Sequence, residues 1–234
     1  MSTPEAQLIR ATIQGDVDKV TALLEQGVPA ETTGGVTAVG SGNTVLMWAA
    51  AEGYAEIAQQ LIAHGAEVNA RNASGYSPLM YAVEGDYRDV VALLLDHGAC
   101  LSDRNRYGET PLIILARHGQ TELVKRVIAM GAELEAANKI GDTALYLAAE
   151  NGHTYTVQTL IALDGNVNTA NIGGWTPLMM ASARGDLETM ALLLEHGADF
   201  QPQNKWGQTA LSEAKQSFRS SQATALLLRA GATA

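Results

Sequence analysis

Five histidines, one cysteine and a glycine-rich run are the residues of this 234-residue chain whose types could support catalysis or metal binding. His64, His97 and His196 each stand directly before a glycine, at Gly65, Gly98 and Gly197. Residues that fill one slot of successive helical units lie about 10 Å or more apart, too far to share a zinc ion whose bonds are near 2 Å. Their expected task is to give a helix end a polar or positive group. Cys100 has no partner within the chain, so no intrachain disulfide can form and a reducing compartment fits. It reads as a small half-buried hydrophobe. The run GGVTAVGSGNT at 34–44 lacks the Gly-Lys-Ser/Thr ending of a phosphate loop. The sequence also contains no Gly-x-Ser-x-Gly elbow, Cys-x-x-Cys pair or His-Glu-x-x-His. No catalytic residue, cofactor or metal is expected, and the chain is expected not to be an enzyme.

A second cluster suggests recognition. The stretch DRNRYGETPLIILARHGQ, residues 103–120, gathers Arg104, Arg106, Tyr107, Arg117 and His118 in a chain of formal net charge -10. What gathers them is a repeat. Gly42, Gly75, Gly108, Gly141, Gly174 and Gly207 are each 33 residues after the last, a period that means an array of structural units. Within a unit, pairs such as Thr110-Pro111 and Thr176-Pro177 place a hydroxyl cap before a proline suited to the first helical position. The short helix that follows stops near a glycine such as Gly53, Gly119, Gly152 or Gly185. A second helix carries a buried stripe, Leu123, Val124, Val127 and Ile128 in one copy, and ends at a glycine such as Gly65, Gly98, Gly131 or Gly197. The next residues, AEVNARNASG in one copy, suit a β-turn finger.

These features resemble the ankyrin-repeat family. The Gly-x-Thr-Pro-Leu-type starts, Ala49-Ala50 and Ala148-Ala149, the Leu-Leu or Leu-Ile pairs and the Gly-Ala-x-Val-Asn-type endings carry the likeness over nearly the whole chain. It implies an all-α fold of helix-turn-helix repeats with β-turn fingers, an ankyrin-repeat solenoid. One domain over 1–234 is expected, with an N-terminal cap and long linker at 4–41, five full repeats at 42–204 and a C-terminal cap at 205–234. Polar Lys215, Ser217, Arg219, Ser220, Ser221 and Gln222 are expected to let the outer face of that last cap meet water.

The chain departs from the family pattern in places. The family's usual histidine after Thr-Pro-Leu is replaced by Met47, Met80, Ile113, Tyr146, Met179 and Ser212, mostly packing residues. Asp86 and Asp164 stand where other units have turn glycines, and aspartate is among the types that tolerate a left-handed backbone.

In this family the partner usually meets a concave side built from finger tips and the exposed edge of the first helices. Counted from each anchor glycine, that implication selects Arg71, Tyr76, Arg104, Arg106, Tyr107, Arg117, His118, Lys139, Ile140, Trp175, Arg184, Lys205 and Trp206 as partner-binding residues. Glu52, Glu84, Glu109, Asp142, Glu150, Asn151 and Ile172 fall on the same face. Seven of the 15 Lys and Arg but only five of the 25 Asp and Glu belong to it, leaving about +2 there and -12 elsewhere. With its tryptophans and tyrosines, the face is expected to bind a protein segment that has an acidic patch and apolar anchors. The expected function is a noncatalytic protein-interaction module acting as adaptor, inhibitor or assembly factor. The alternative is nucleic-acid binding through the basic strip, for which +2 is thin. No apolar run approaches the roughly 18 residues needed to span a bilayer, so a cytoplasmic monomer without membrane insertion is expected. The 34–44 run reads as an enlarged first finger that could touch the partner.

Overall fold

The computed structural model describes residues 3–34 and 42–233. Most of the glycine-rich run, and with it the expected first-finger contact, lies outside the described residues. The chain divides into two compact units, Met1–Pro111 and Leu112–Ala234. Both are built from antiparallel helix pairs. Among the described residues there is no β-sheet, only isolated bridges at Thr33 with Thr44 and Ala137 with Thr143.

In the first unit the pairs are α1 (Pro4–Gln14) with α2 (Val17–Glu25), α3 (Val45–Ala51) with α4 (Ala55–Ala63), and α5 (Pro78–Glu84) with α6 (Arg88–Asp96). In the second, α7 (Pro111–Arg117), which starts at the boundary, pairs with α8 (Thr121–Ala129). It is followed by α9 (Ala144–Asn151) with α10 (Thr154–Ala162), α11 (Pro177–Arg184) with α12 (Leu187–Glu195), and α13 (Ala210–Gln216) with α14 (Ser220–Arg229). Within each unit, like helices of successive pairs stack: α1 on α3 on α5, and α9 on α11 on α13. Helices of seven to eleven residues are too short to be stable alone, so this lateral burial sustains them.

The first helices start where the hydroxyl caps stand. Thr44, Ser77, Thr143, Thr176 and Thr209 accept from the amides of Met47, Met80, Tyr146, Met179 and Ser212 at 3.2–3.4 Å. The slot vacated by histidine is core: Met47, Met80, Ile113, Tyr146 and Met179 are buried. Asp86 and Asp164 adopt φ of 54° and 66°, the left-handed form expected of them. Cys100 is half-buried. Ser217 departs from the expected polar outer face, because its hydroxyl turns in to donate to Ala214 O at 2.9 Å, while neighbouring Phe218 is 80% exposed.

Among the second helices, α2 and α12 are capped by Asp16 and Asp186, which accept from the amides of Lys19 and Thr189, whereas three others use a different device. Tyr54, Tyr87 and His153 sit at the N-caps of α4, α6 and α10 without a side-chain cap bond. Each instead lays its ring on a glycine of the preceding pair, Gly15, Gly53 and Gly119 respectively. Gly53 has φ of 76°, and a Cβ there would stand 2.4 Å from the Tyr87 ring. Gly53→Ala is therefore expected to combine left-handed strain with a ring clash and cost about 2–3 kcal/mol. Chemical denaturation measures it, and Tyr87→Ala in the same chain should recover part of the loss.

Candidate functional site

The fingers are held by an asparagine that recurs three residues before the anchor glycine. Asn72, Asn105, Asn138, Asn171 and Asn204 each donate their backbone N–H to the carbonyl four residues on, at 3.0–3.1 Å. Each side-chain Oδ1 accepts the backbone amides two and four residues on, as Asn171 does from Gly173 at 2.9 Å and Trp175 at 3.1 Å. Two of the Nδ2 groups reach sideways, Asn72 donating to Asn43 at 2.7 Å and Asn171 to Asp142 at 2.8 Å, while those of Asn105, Asn138 and Asn204 donate to the side chain four residues on in their own finger. Fingers built this way are closed loops with little freedom. Backbone bonds also tie successive tips, Arg106 N to Ser74 O in the first unit, and Ile172 N to Ile140 O and Lys205 N to Gly173 O in the second.

In the first unit the sequence-selected residues form two groups. Arg71 Nη2 donates to Arg104 O at 2.5 Å, Arg104 Nη1 to Gly108 O at 3.0 Å, and Arg106 Nη2 to Tyr107 Oη at 2.6 Å. The Arg106 guanidinium lies 4.8 Å from the centroid of the half-exposed Tyr107 ring. Tyr76 stands apart, its ring against Tyr81 and its hydroxyl donating to Glu84 at 3.1 Å. Burial first, then the Glu84 carboxylate, pushes its phenol up to about 12.

The second unit presents its fingers differently. Ile140 and Ile172 are each 60% exposed, and Trp206 is 68% exposed. Exposed Lys139 and Lys205 stand one residue before Ile140 and Trp206. Trp175 is half-buried against Ile113, Ala136, Tyr146 and Leu147, and its ring centroid lies 6.2 Å from that of Trp206. Arg184 donates to Glu150 O at 3.2 Å and lies over Gly152. Arg117 and exposed His118 close the end of α7, away from the tips, where the Arg117 carbonyl accepts from His153 Nε2 at 2.9 Å.

Two acids counted on the face are not on its surface. Glu109 and Asp142 are each 4% exposed, held inward by Asn105 Nδ2 at 2.8 Å and Asn138 Nδ2 at 3.1 Å. The exposed residues of the face are more basic than a count of slots implies. The asparagines that cause this could have been found from their fixed place before Gly75, Gly108, Gly141, Gly174 and Gly207.

Glu150 titrates high. Burial first and Asp142 second raise its carboxyl, against an opposing pull from Arg184. Its ionisation therefore weakens folding: the group's contribution is full below the unfolded-state value near 4.5 and is lost as the pH rises through the elevated folded-state value. Glu150 is itself exposed, so solvent screens most of this effect, and Glu150→Gln is expected to raise Tm at pH 7 by about 1 °C at most, with the gain vanishing near pH 4. Paired thermal melts from pH 4 to 8 measure it.

His64, His97 and His196 each donate from Nδ1 to a last-turn carbonyl, Gln60 O, Leu93 O and Leu192 O, at 2.8–2.9 Å. That is the helix-end task their spacing implied. Among the described residues no three His, Cys, Asp or Glu gather as a metal site, and no helix is long and apolar enough to cross a membrane.

Capped helix pairs with hydrogen-bonded fingers define a helical-repeat protein. The family model for ankyrin repeats (3 copies) matches residues 8–105, 100–171 and 156–234, and the chain belongs to the ankyrin-repeat family. The crystal structure of the human ASB11 ankyrin repeat domain is similar, with a TM-score of 0.82 and 28% identity over 97% of this chain and 99% of that one. Comparison with curated protein sequences gives no match. Ankyrin repeats are generally protein–protein interaction modules, on a scaffold known as noncatalytic.

Proposed function

We propose that the chain is a noncatalytic adaptor, inhibitor or assembly factor that binds a protein partner on its finger tips and first-helix edges. The observation that carries this reading is the tip row of the second unit. Ile140, Ile172 and Trp206 are more than half exposed on three successive fingers, and backbone bonds tie the first finger to the second and the second to the third. Apolar side chains fixed in water gain nothing until a partner covers them, and tryptophan in such a setting is a common binding hot spot. Lys139 and Lys205 beside them favour a partner segment with carboxylates next to its apolar anchors.

Affinity capture from native extract tests the proposal, comparing the unaltered chain with the variant Ile140→Ser, Ile172→Ser, Trp206→Ser. A protein retained by the former and lost by the latter supports the reading. Equal retention by both contradicts it. Repeating the capture after nuclease treatment and at raised salt separates a protein partner from nucleic acid, whose phosphate contacts weaken steeply with salt.

A further inference from the structure

The second unit's tip row has a spacing as well as a composition. Ile140 and Trp206 fill the same slot, one residue before the anchor glycine, two fingers apart. The finger between them has Gly173 in that slot. Its backbone is not left-handed, and a Cβ there would stand 2.9 Å from Trp175 Cδ1. The missing side chain is what lets the Trp175 indole lie over the middle tip. Apolar groups therefore recur on every finger: Ile140 on the first, Ile172 and the Trp175 ring on the second, and Trp206 on the third. The two indoles are 6.2 Å apart between centroids and tilted by 40°, so they meet at an angle instead of stacking flat.

We infer that this row binds a segment in the polyproline II conformation, with a proline at every third residue and carboxylates at its ends. The inference deepens the proposed function and rests on the tip row being the partner's site. The period carries it. Stacked helices such as α9, α11 and α13 stand about 8–10 Å apart, and their fingers repeat with them. Polyproline II rises about 3.1 Å per residue with three residues per turn, so equivalent side chains return to one face about every 9 Å. A β-strand returns side chains to one face about every 7 Å, so its next two fall short of the following finger and beyond it. An α-helix matches only through residues seven apart, at about 10.5 Å. Polyproline II alone sets one side chain on each finger with every turn.

Rings and rigidity favour the same occupant. The indoles offer apolar faces, and aromatic-lined grooves are the usual receivers of proline-rich segments. Asn171 and Asn204 close their fingers, and backbone bonds tie the tips together, so the site is set before binding. A ligand already ordered by its prolines then loses the least freedom on docking. Lys139 and Lys205, beside Ile140 and Trp206, stand at the two ends of the row and select carboxylates there.

The test uses synthetic peptides. The ¹⁵N-labelled full chain is titrated with Ac-EPAAPAAPE-NH2, following the backbone amide of Gly173 and the indole N–H signals of Trp175 and Trp206. Saturable shifts are expected at a dissociation constant of about 100 μM. Ac-EPAPAPAAE-NH2, which has the same composition with its prolines two apart, should bind at least fivefold more weakly. So should a helical peptide of alanines with glutamate ends and leucines seven apart. Trp206→Leu keeps an apolar tip but loses the flat ring, and should weaken the first peptide at least tenfold, whereas Trp206→Phe should stay within threefold. Gly173→Ala, which pushes the Trp175 ring off the middle tip, should weaken it at least fivefold. No saturation by about 5 mM, equal or tighter binding of either control peptide, or full binding by Trp206→Leu would each overturn the inference. Each of those results leaves standing a partner captured by the unaltered chain and lost by the triple serine variant, so the two proposals fail separately.

Discussion

Changing Ile140, Ile172 and Trp206 together to serine is expected to reduce partner affinity by more than 100-fold while moving Tm by no more than about 2 °C. The asymmetry follows from exposure. More than half of each of these side chains already meets water, so their loss removes little folded-state packing. In a complex each becomes fully covered, and interface tryptophans of this kind commonly contribute 2 kcal/mol or more, about 30-fold in affinity. Trp206→Ala alone should carry the largest single share. Trp175 is the instructive contrast, because it is half-buried against Tyr146 and Leu147, so Trp175→Ala should lower stability as well as binding. Calorimetric titration of the captured partner, with thermal melts of each variant, separates the two effects. A triple variant that binds within threefold of the unaltered chain would refute the tip-row proposal.

Asn171→Ala should have the largest effect on folding among the finger positions. The asparagine satisfies the amides of Gly173 and Trp175 and donates to the Asp142 carboxylate, which is 4% exposed. Alanine leaves two backbone donors without their acceptor and a buried carboxylate short of one donor. At about 1–3 kcal/mol for each unsatisfied group, less what loop relaxation and water recover, the expected loss is about 3–4 kcal/mol. In a chain of this size that is roughly 10 °C in Tm. Asn171→Asp gives a sharper reading. It keeps the Oδ1 acceptor but sets a second carboxylate against Asp142, so its penalty should grow as the pH rises from 4 to 7. A loss below 1 kcal/mol for Asn171→Ala, by denaturant titration, would show that the fingers do not depend on these bonds.

The sequence made the repeat legible because its strongest constraints are local. Anchor glycines such as Gly75 and Gly174 take φ near 80°, hydroxyl caps such as Thr176 bond their own helix, and Met47 and Met80 fall in a slot that faces the stack. What escaped depends on contacts between successive repeats, or on where a finger asparagine turns its neighbour. Tyr87 over Gly53 and His153 over Gly119 are pairings 34 residues apart, and nothing near either ring marks them. Glu109 and Asp142 occupy slots that face a partner in related proteins, yet an asparagine four residues earlier draws each carboxylate inward. Asparagine is usually a surface residue, so its role here shows only when its position is compared across copies. For the candidate face, the residue types were readable from slot counting, whereas exposure was not: Ile140 and Trp206 stand out, while Trp175 is held half inside.

Hydroxyl-radical footprinting of the chain alone and bound to its captured partner tests the tip row most directly. Trp206, Ile140 and Ile172 should lose most of their oxidation in the complex, while Tyr155 and Phe218, which are 77% and 80% exposed outside the fingers, keep theirs. Unchanged oxidation of Trp206 together with protection of Tyr155 or Phe218 would place the partner elsewhere and contradict the account.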